Sequence, residues 1–149
     1  MKFRQVENSA TTDYLTGLPN ARSLFLHLDS QIARSKRINN KLPALVCDLD
    51  GFNQVNDRFG HLKGNRVMQL IAAAFQANCR EYDYVARMGG DEFVLVLPGF
   101  DSHALEQKAE QLSRLVAAVG REVCGENVVS LSVGAAFYKL DGADAEQIL

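Results

Sequence analysis

Four acidic side chains stand in two short segments of this 149-residue chain: Asp48 and Asp50 in Asp48-Leu49-Asp50, and Asp91 and Glu92 directly behind Gly89-Gly90. Hard carboxylate oxygens with no His or Cys beside them select magnesium or manganese. These ions take one or two carboxylates and complete their shell with water and substrate phosphates. A cation so held neutralises charge building on a phosphate and lowers the pKa of an attacking hydroxyl, which is the chemistry of nucleotidyl transfer. Acids at strand ends are also commonly just solvated, and spacing alone leaves both readings open. The glycines add weight to the first, because positive φ and a backbone without Cβ atoms let a bulky phosphate or base approach closely.

Positioning these acids takes at least three strands. Leu42 to Leu49 is a short apolar run with Pro43 near its start, which predicts a buried strand ending in the acidic triplet. Tyr84 to Arg87 and Phe93 to Leu97 flank Met88-Gly89-Gly90-Asp91-Glu92 as the arms of a β-hairpin with acids at its tip. A sheet pairing these strands centrally would bring the four carboxylates into one small area.

Helical periodicity accounts for most of the remainder. From Asn20, the residues Leu24, Phe25, Leu28, Ile32 and Ala33 recur on one side until the polar run Ser35 to Lys41. Leu62 to Cys79 carries a stripe of Val67, Leu70, Ile71, Ala74 and Phe75, with Met68 and Phe75 read as core. His103 to Val119 has Leu105, Ala109, Leu112 and Val116 inward and Gly120 as its stop. Val128 to Phe137 reads as a further strand, and Asp144 as the cap of a helix that begins as the chain ends. This order predicts an α/β (α+β) sandwich built on a central mixed sheet flanked by helices.

Composition excludes several classes. A chain of 149 residues suits one globular domain. Sixteen Lys and Arg against eighteen Asp and Glu give a formal charge of -2, so no broad basic surface draws it to nucleic acid or an anionic membrane. Cys47, Cys79 and Cys124 lack CxxC or metal-ligand spacing and read as reduced thiols of a cytoplasmic chain. No apolar run approaches a membrane span, and Met1 to Ala10 has no signal-peptide core. His27 and His103 read as surface or boundary residues. Arg34, Lys36, Arg37 and Lys41 read as a solvated basic patch.

Gly89-Gly90-Asp91-Glu92-Phe93 is the signature for which the GGDEF family of diguanylate cyclases is named. Asp13-Tyr14-Leu15-Thr16-Gly17-Leu18-Pro19-Asn20 resembles that family's DxLTGLxN opening, and Asp48-Leu49-Asp50-Gly51-Phe52 its DxDxFK metal strand. Asn56-Asp57-Arg58-Phe59-Gly60-His61 is similar to its NDxxGH stretch, and Ser132-Val133-Gly134 to its late SxG strand. The motifs run in family order from Asp13 to about Phe137.

The resemblance implies a fold like the nucleotidyl cyclase and polymerase palm, with residues 1–12 a lead-in and 13–149 the domain. It implies condensation of two GTP into cyclic di-GMP and two pyrophosphates by a homodimer. Asp48, the Leu49 carbonyl and Asp91 would hold magnesium or manganese, with Asp91 accepting the 3′-hydroxyl proton and Glu92 supporting it. Asn56 and Asn65 would contact guanine. His61, Asn53, Gly89 and Gly90 would line the substrate site. Arg80 and Asp83 fit the family's RxxD product-inhibition site, five residues ahead of the double glycine; the bland alternative is a surface ion pair. Family members usually follow a sensory segment, which implies a longer parent chain.

Three features depart from the family pattern. Asn53 stands where the family has lysine, which removes a positive charge that would steady phosphates. Asn65 stands where aspartate is usual, and an amide offers guanine one acceptor instead of two. The chain also stops at Leu149, as the family's final basic helix begins. These leave two alternatives beside the strict cyclase: a degenerate, catalytically weak module that binds GTP or cyclic di-GMP, and a cyclase admitting ATP beside GTP.

Overall fold

The computed structural model describes residues 11–38 and 42–138. The readings of Met1 to Ala10, Lys41 and Asp141 to Leu149 lie outside them, as do the side chains of residues 31–38. In chain order the elements are α1 (Ala21–Ile38), β1 (Leu42–Asp50), α2 (Phe52–Phe59), α3 (His61–Ala77), β2 (Tyr84–Arg87), β3 (Glu92–Val96), α4 (Ser102–Cys124) and β4 (Ser130–Tyr138).

The strands form a sheet of order β2-β3-β1-β4 in which β1 is paired on both sides. A strand flanked this way is buried on both faces, which is why Leu42 to Leu45 read as an unbroken apolar run. The two faces feed two cores. Leu45, Cys47 and Leu49 join Phe93, Leu95, Met68, Ile71 and Phe75 under α2, α3 and α4. Leu42 and Ala44 join Val94, Val96 and Ala86 under Leu24 and Leu28 of α1. The expected sandwich with a central sheet between helices is therefore present, and Met68 and Phe75 are fully buried.

The sheet is antiparallel in every described pairing, not mixed. The crossover through α2 and α3 lands β2 at the edge instead of beside β1. The hairpin then returns β3 into the gap, so β1 meets an antiparallel neighbour. Two helical expectations also change. Residues 52–59 form a helix of their own, absent from the expectation, which Gly60 separates from α3 by a φ of 90°. The last helix runs through Gly120 to Cys124 and ends at Gly125, whose φ of 79° supplies the left-handed cap. Gly120 is buried against Val129, so it serves packing and not termination.

Gly51 makes the turn from β1 into α2 with φ 84°, and a Cβ there would strike the Val128 carbonyl. A side chain in that conformation costs about 1–2 kcal/mol before any clash. Gly51→Ala should therefore lower the thermal midpoint, whereas Gly89→Ala, at a position with open space around it, should leave it unchanged; differential scanning calorimetry of both variants checks this.

Candidate active site

The acids come together through β-sheet register. Asp48 lies directly opposite Glu92 on β3 and opposite Ser132 on β4. The Leu49 N–H donates to the Asp91 carbonyl at 2.8 Å, which extends the ladder to the hairpin tip. By strand alternation Asp48, Asp50 and Glu92 continue the face that α1 covers at its other end. Asp48, Asp50 and Asp91 are exposed and Glu92 is half-buried.

The four carboxylates do not form one cluster. Asp50 accepts from Ser132 Oγ at 2.5 Å, a contact the sequence reading did not anticipate. No three His, Cys, Asp or Glu side chains among the described residues are gathered to hold a metal ion. The close pair is Asp48 with Glu92. Burial pushes the Glu92 carboxyl above its ordinary value, and the charge of Asp48, a hydrogen bond to it and the charge of Asp91 push the same way. Two facing carboxylates are destabilising until a proton or a cation separates them.

Gly89 and Gly90 also depart from expectation, since neither has positive φ. A Cβ at either would meet nothing within 4 Å, and both are exposed. The chain's own fold thus makes no demand for glycine at the tip; what remains is room for something that approaches from outside.

The tip is fastened by Arg87. Its Nε donates to the Gly89 carbonyl at 3.0 Å and a terminal nitrogen to the Gly90 carbonyl at 2.6 Å. The other terminal nitrogen pairs with both Asp13 oxygens at 3.2 and 3.1 Å. Asp13 is held in turn by the Thr16 N–H at 2.9 Å and hydroxyl at 2.6 Å. Burial raises the Asp13 carboxyl, but the Thr16 hydrogen bonds and Arg87 outweigh it and leave its pKa below the ordinary value.

The expected base-contacting residues lie on α2 and α3. Asn56 packs against Gly64, where any Cβ would collide with its Oδ1, so glycine is what lets the two helices nest. That Oδ1 is buried without a partner. Asn65 follows Gly64 directly and is exposed, as are Asn53 and His61 at the first turns of α2 and α3. Arg80 and Asp83 stand apart, before β2, while the acids lie past its far end. They form the ion pair their spacing suggests, at 2.6 Å.

Residues 10–149 match the profile described as diguanylate cyclase, GGDEF domain. The chain belongs to the GGDEF domain family. Diguanylate cyclase DgcP of Pseudomonas aeruginosa is 38% identical over 136 residues, covering 91% of this chain and 20% of DgcP. Cyclic di-GMP phosphodiesterase PdeR of Escherichia coli is 36% identical over 141 residues, covering 94% of this chain and 21% of PdeR. The chain thus spans about a fifth of the length of these curated relatives. The crystal structure of the coiled coil and GGDEF domain of DgcB from Caulobacter crescentus, in complex with c-di-GMP, superposes with a TM-score of 0.83. It is 26% identical, and the match covers 99% of this chain and 78% of that one.

Two carboxylates of this GGDEF domain should respond oppositely to pH. Glu92 has a raised folded pKa, so its contribution is complete below the unfolded value near 4.5 and is lost as pH rises through the folded one. Asp13 has a depressed folded pKa, so its contribution is complete above the unfolded value near 3.8 and is lost as pH falls through the folded one. In chelator-containing buffer at pH 7, Glu92→Gln should melt above the parent and Asp13→Asn below it, with both differences shrinking toward pH 3; thermal melts across that range test the signs.

Proposed function

We propose that this chain is a diguanylate cyclase domain, which condenses two GTP molecules into cyclic di-GMP with release of two pyrophosphates. The observation that carries the reading is the opposition of Asp48 and Glu92 across β1 and β3, beside an exposed Gly89-Gly90 tip whose glycines the fold itself does not require. The name of DgcP and the c-di-GMP complex of DgcB support it.

Each subunit holds one GTP, so two copies meet face to face. The 3′-hydroxyl of one nucleotide attacks the α-phosphorus of the other, the bond to pyrophosphate breaks, and the hydroxyl proton passes to a carboxylate. Asp91, exposed at the tip, takes that proton, and Glu92 supports it. Asp48, the Leu49 carbonyl and Asp91 hold magnesium or manganese. Their hard oxygens fit such an ion. Burial and then the charge of Asp48 raise the Glu92 carboxyl, and a cation there would relieve that repulsion. When bound, the ion supplies charge neutralisation at the phosphates and acidifies the attacking hydroxyl. Asn56, with its unpartnered buried oxygen, and Asn65 contact the guanine; Asn53, Gly89 and Gly90 border the phosphates, with His61 alongside. Cyclic di-GMP inhibits at Arg80 and Asp83. The domain works in the cytoplasm, within a longer parent that carries a sensory segment.

The second reading is a GGDEF module that binds GTP or cyclic di-GMP and turns over little or nothing. It is favoured by Asn53 and Asn65 and by the likeness to PdeR, a relative named as a cyclic di-GMP phosphodiesterase and not as a cyclase. A third outcome is a cyclase that admits ATP, because the mixed donor and acceptor edge of Asn65 also matches adenine.

Incubation with GTP, with ATP and with both, in magnesium, followed by mass identification of products separates these readings. Cyclic di-GMP from GTP is expected, and binding of cyclic di-GMP without any cyclic dinucleotide formed would favour the module. Asp91→Asn should abolish turnover while leaving the thermal midpoint close to the parent's. Asn53→Lys should raise the rate, by up to about a hundredfold if the restored charge acts as a transition-state contact; steady-state kinetics of the two variants measures both effects.

A further inference from the structure

Arg80 is more heavily engaged than an exposed arginine needs to be. Its Nε donates to Asp83 at 3.0 Å, and one terminal nitrogen donates to Asp83 at 2.6 Å and to the Pro98 carbonyl at 2.7 Å. The other terminal nitrogen meets the Tyr82 hydroxyl at 3.4 Å. The guanidinium carbon also lies 4.6 Å from the Tyr82 ring centroid and 4.6 Å from that of Phe100. Asp83 is sealed in turn, its side chain 1% exposed, with its oxygens taken by Arg80 and by the Arg80 backbone N–H at 2.7 Å.

A ligand arriving at this pair therefore finds the Nε and one terminal nitrogen of Arg80 already engaged, and no free carboxylate. Space for a base exists close by. A cavity of about 280 Å³ is lined by Gln76, Cys79, Arg80, Asp83 and Tyr84, among others, but not by Tyr82 or Phe100. The two rings thus leave the cavity open and act on Arg80 itself. Their burial differs: Phe100 packs against the main core, while Tyr82 is 62% exposed. Phe100 is the inner ring of the pair and Tyr82 the outer one.

We propose that Tyr82 and Phe100 form an aromatic clamp that holds Arg80 closed on Asp83, and that Tyr82 sets how readily a guanine-bearing, doubly anionic cyclic dinucleotide can engage the pair. This rests on the reading of Arg80 and Asp83 as the inhibitory site. To bind, Arg80 must exchange Asp83 and the Tyr82 face for the ligand's phosphate or guanine edge, while Asp83 turns its oxygens to guanine N–H donors. Removing the exposed ring takes one holding interaction from the closed state and nothing from the bound one.

Calorimetric titration of cyclic di-GMP into the parent, Tyr82→Ala, Tyr82→Phe and Arg80→Ala chains tests this. Tyr82→Ala should bind about twofold to fivefold more tightly than the parent, the fold-change that loss of one exposed cation–π contact gives. Tyr82→Phe keeps the ring and should bind as the parent does, and Arg80→Ala should lose binding. Unchanged or weaker binding by Tyr82→Ala, with Arg80→Ala still abolishing it, overturns the clamp and leaves the inhibitory site standing. Binding that survives in Arg80→Ala, or that is absent from parent and Tyr82→Ala alike, overturns the inhibitory site and the clamp with it.

Discussion

The double pairing of β1 is the constraint on which the candidate site depends. With β3 on one side and β4 on the other, the ladder fixes residue against residue over nine positions on the β4 side, from Leu42 with Tyr138 to Asp50 with Ser130. A slip of one residue would turn Leu45, Cys47 and Leu49 out of the larger core and drive Asp48 into it, at the expense of several fully buried side chains. The hydrophobic register therefore determines where the carboxylates emerge. The carboxylates need no separate placement, because the residues that hold the strand also aim its end.

Around that fixed strand the hairpin tip has its own support. Arg87 reaches both glycine carbonyls and the Asp13 carboxylate. The tip is thus tied to a turn that lies 74 residues earlier in the chain. Where the glycines leave the backbone without steric limits, this guanidinium supplies the restraint. The arrangement combines an accessible backbone with a fixed one.

Much of this was legible in the residues. Strand and helix positions followed from periodicity, and the acids at the hairpin tip from the Gly-Gly turn. What was not legible depended on tertiary geometry. Antiparallel pairing of β1 came from where a crossover lands, which no local pattern encodes. The helix at residues 52–59 is eight residues long with a single fully buried side chain, Val55, too short a stripe to announce itself. Gly120 looks like a stop because glycine often ends helices, yet its burial against Val129 gives it a packing role. The Ser132 contact to Asp50 and the rings around Arg80 join residues that only the folded chain makes neighbours.

The turn from Thr12 to Pro19 has a consequence for the sheet's margin. β2 is an outer strand, and its Arg87 N–H, which would otherwise face an open edge, donates to the Pro19 carbonyl at 2.9 Å. The strand is four residues long, and its end beside the hairpin tip is covered by that loop. A short, partly capped border offers little template for strand addition by another molecule. A second copy of the chain therefore finds no long open strand at β2 on which to extend the sheet.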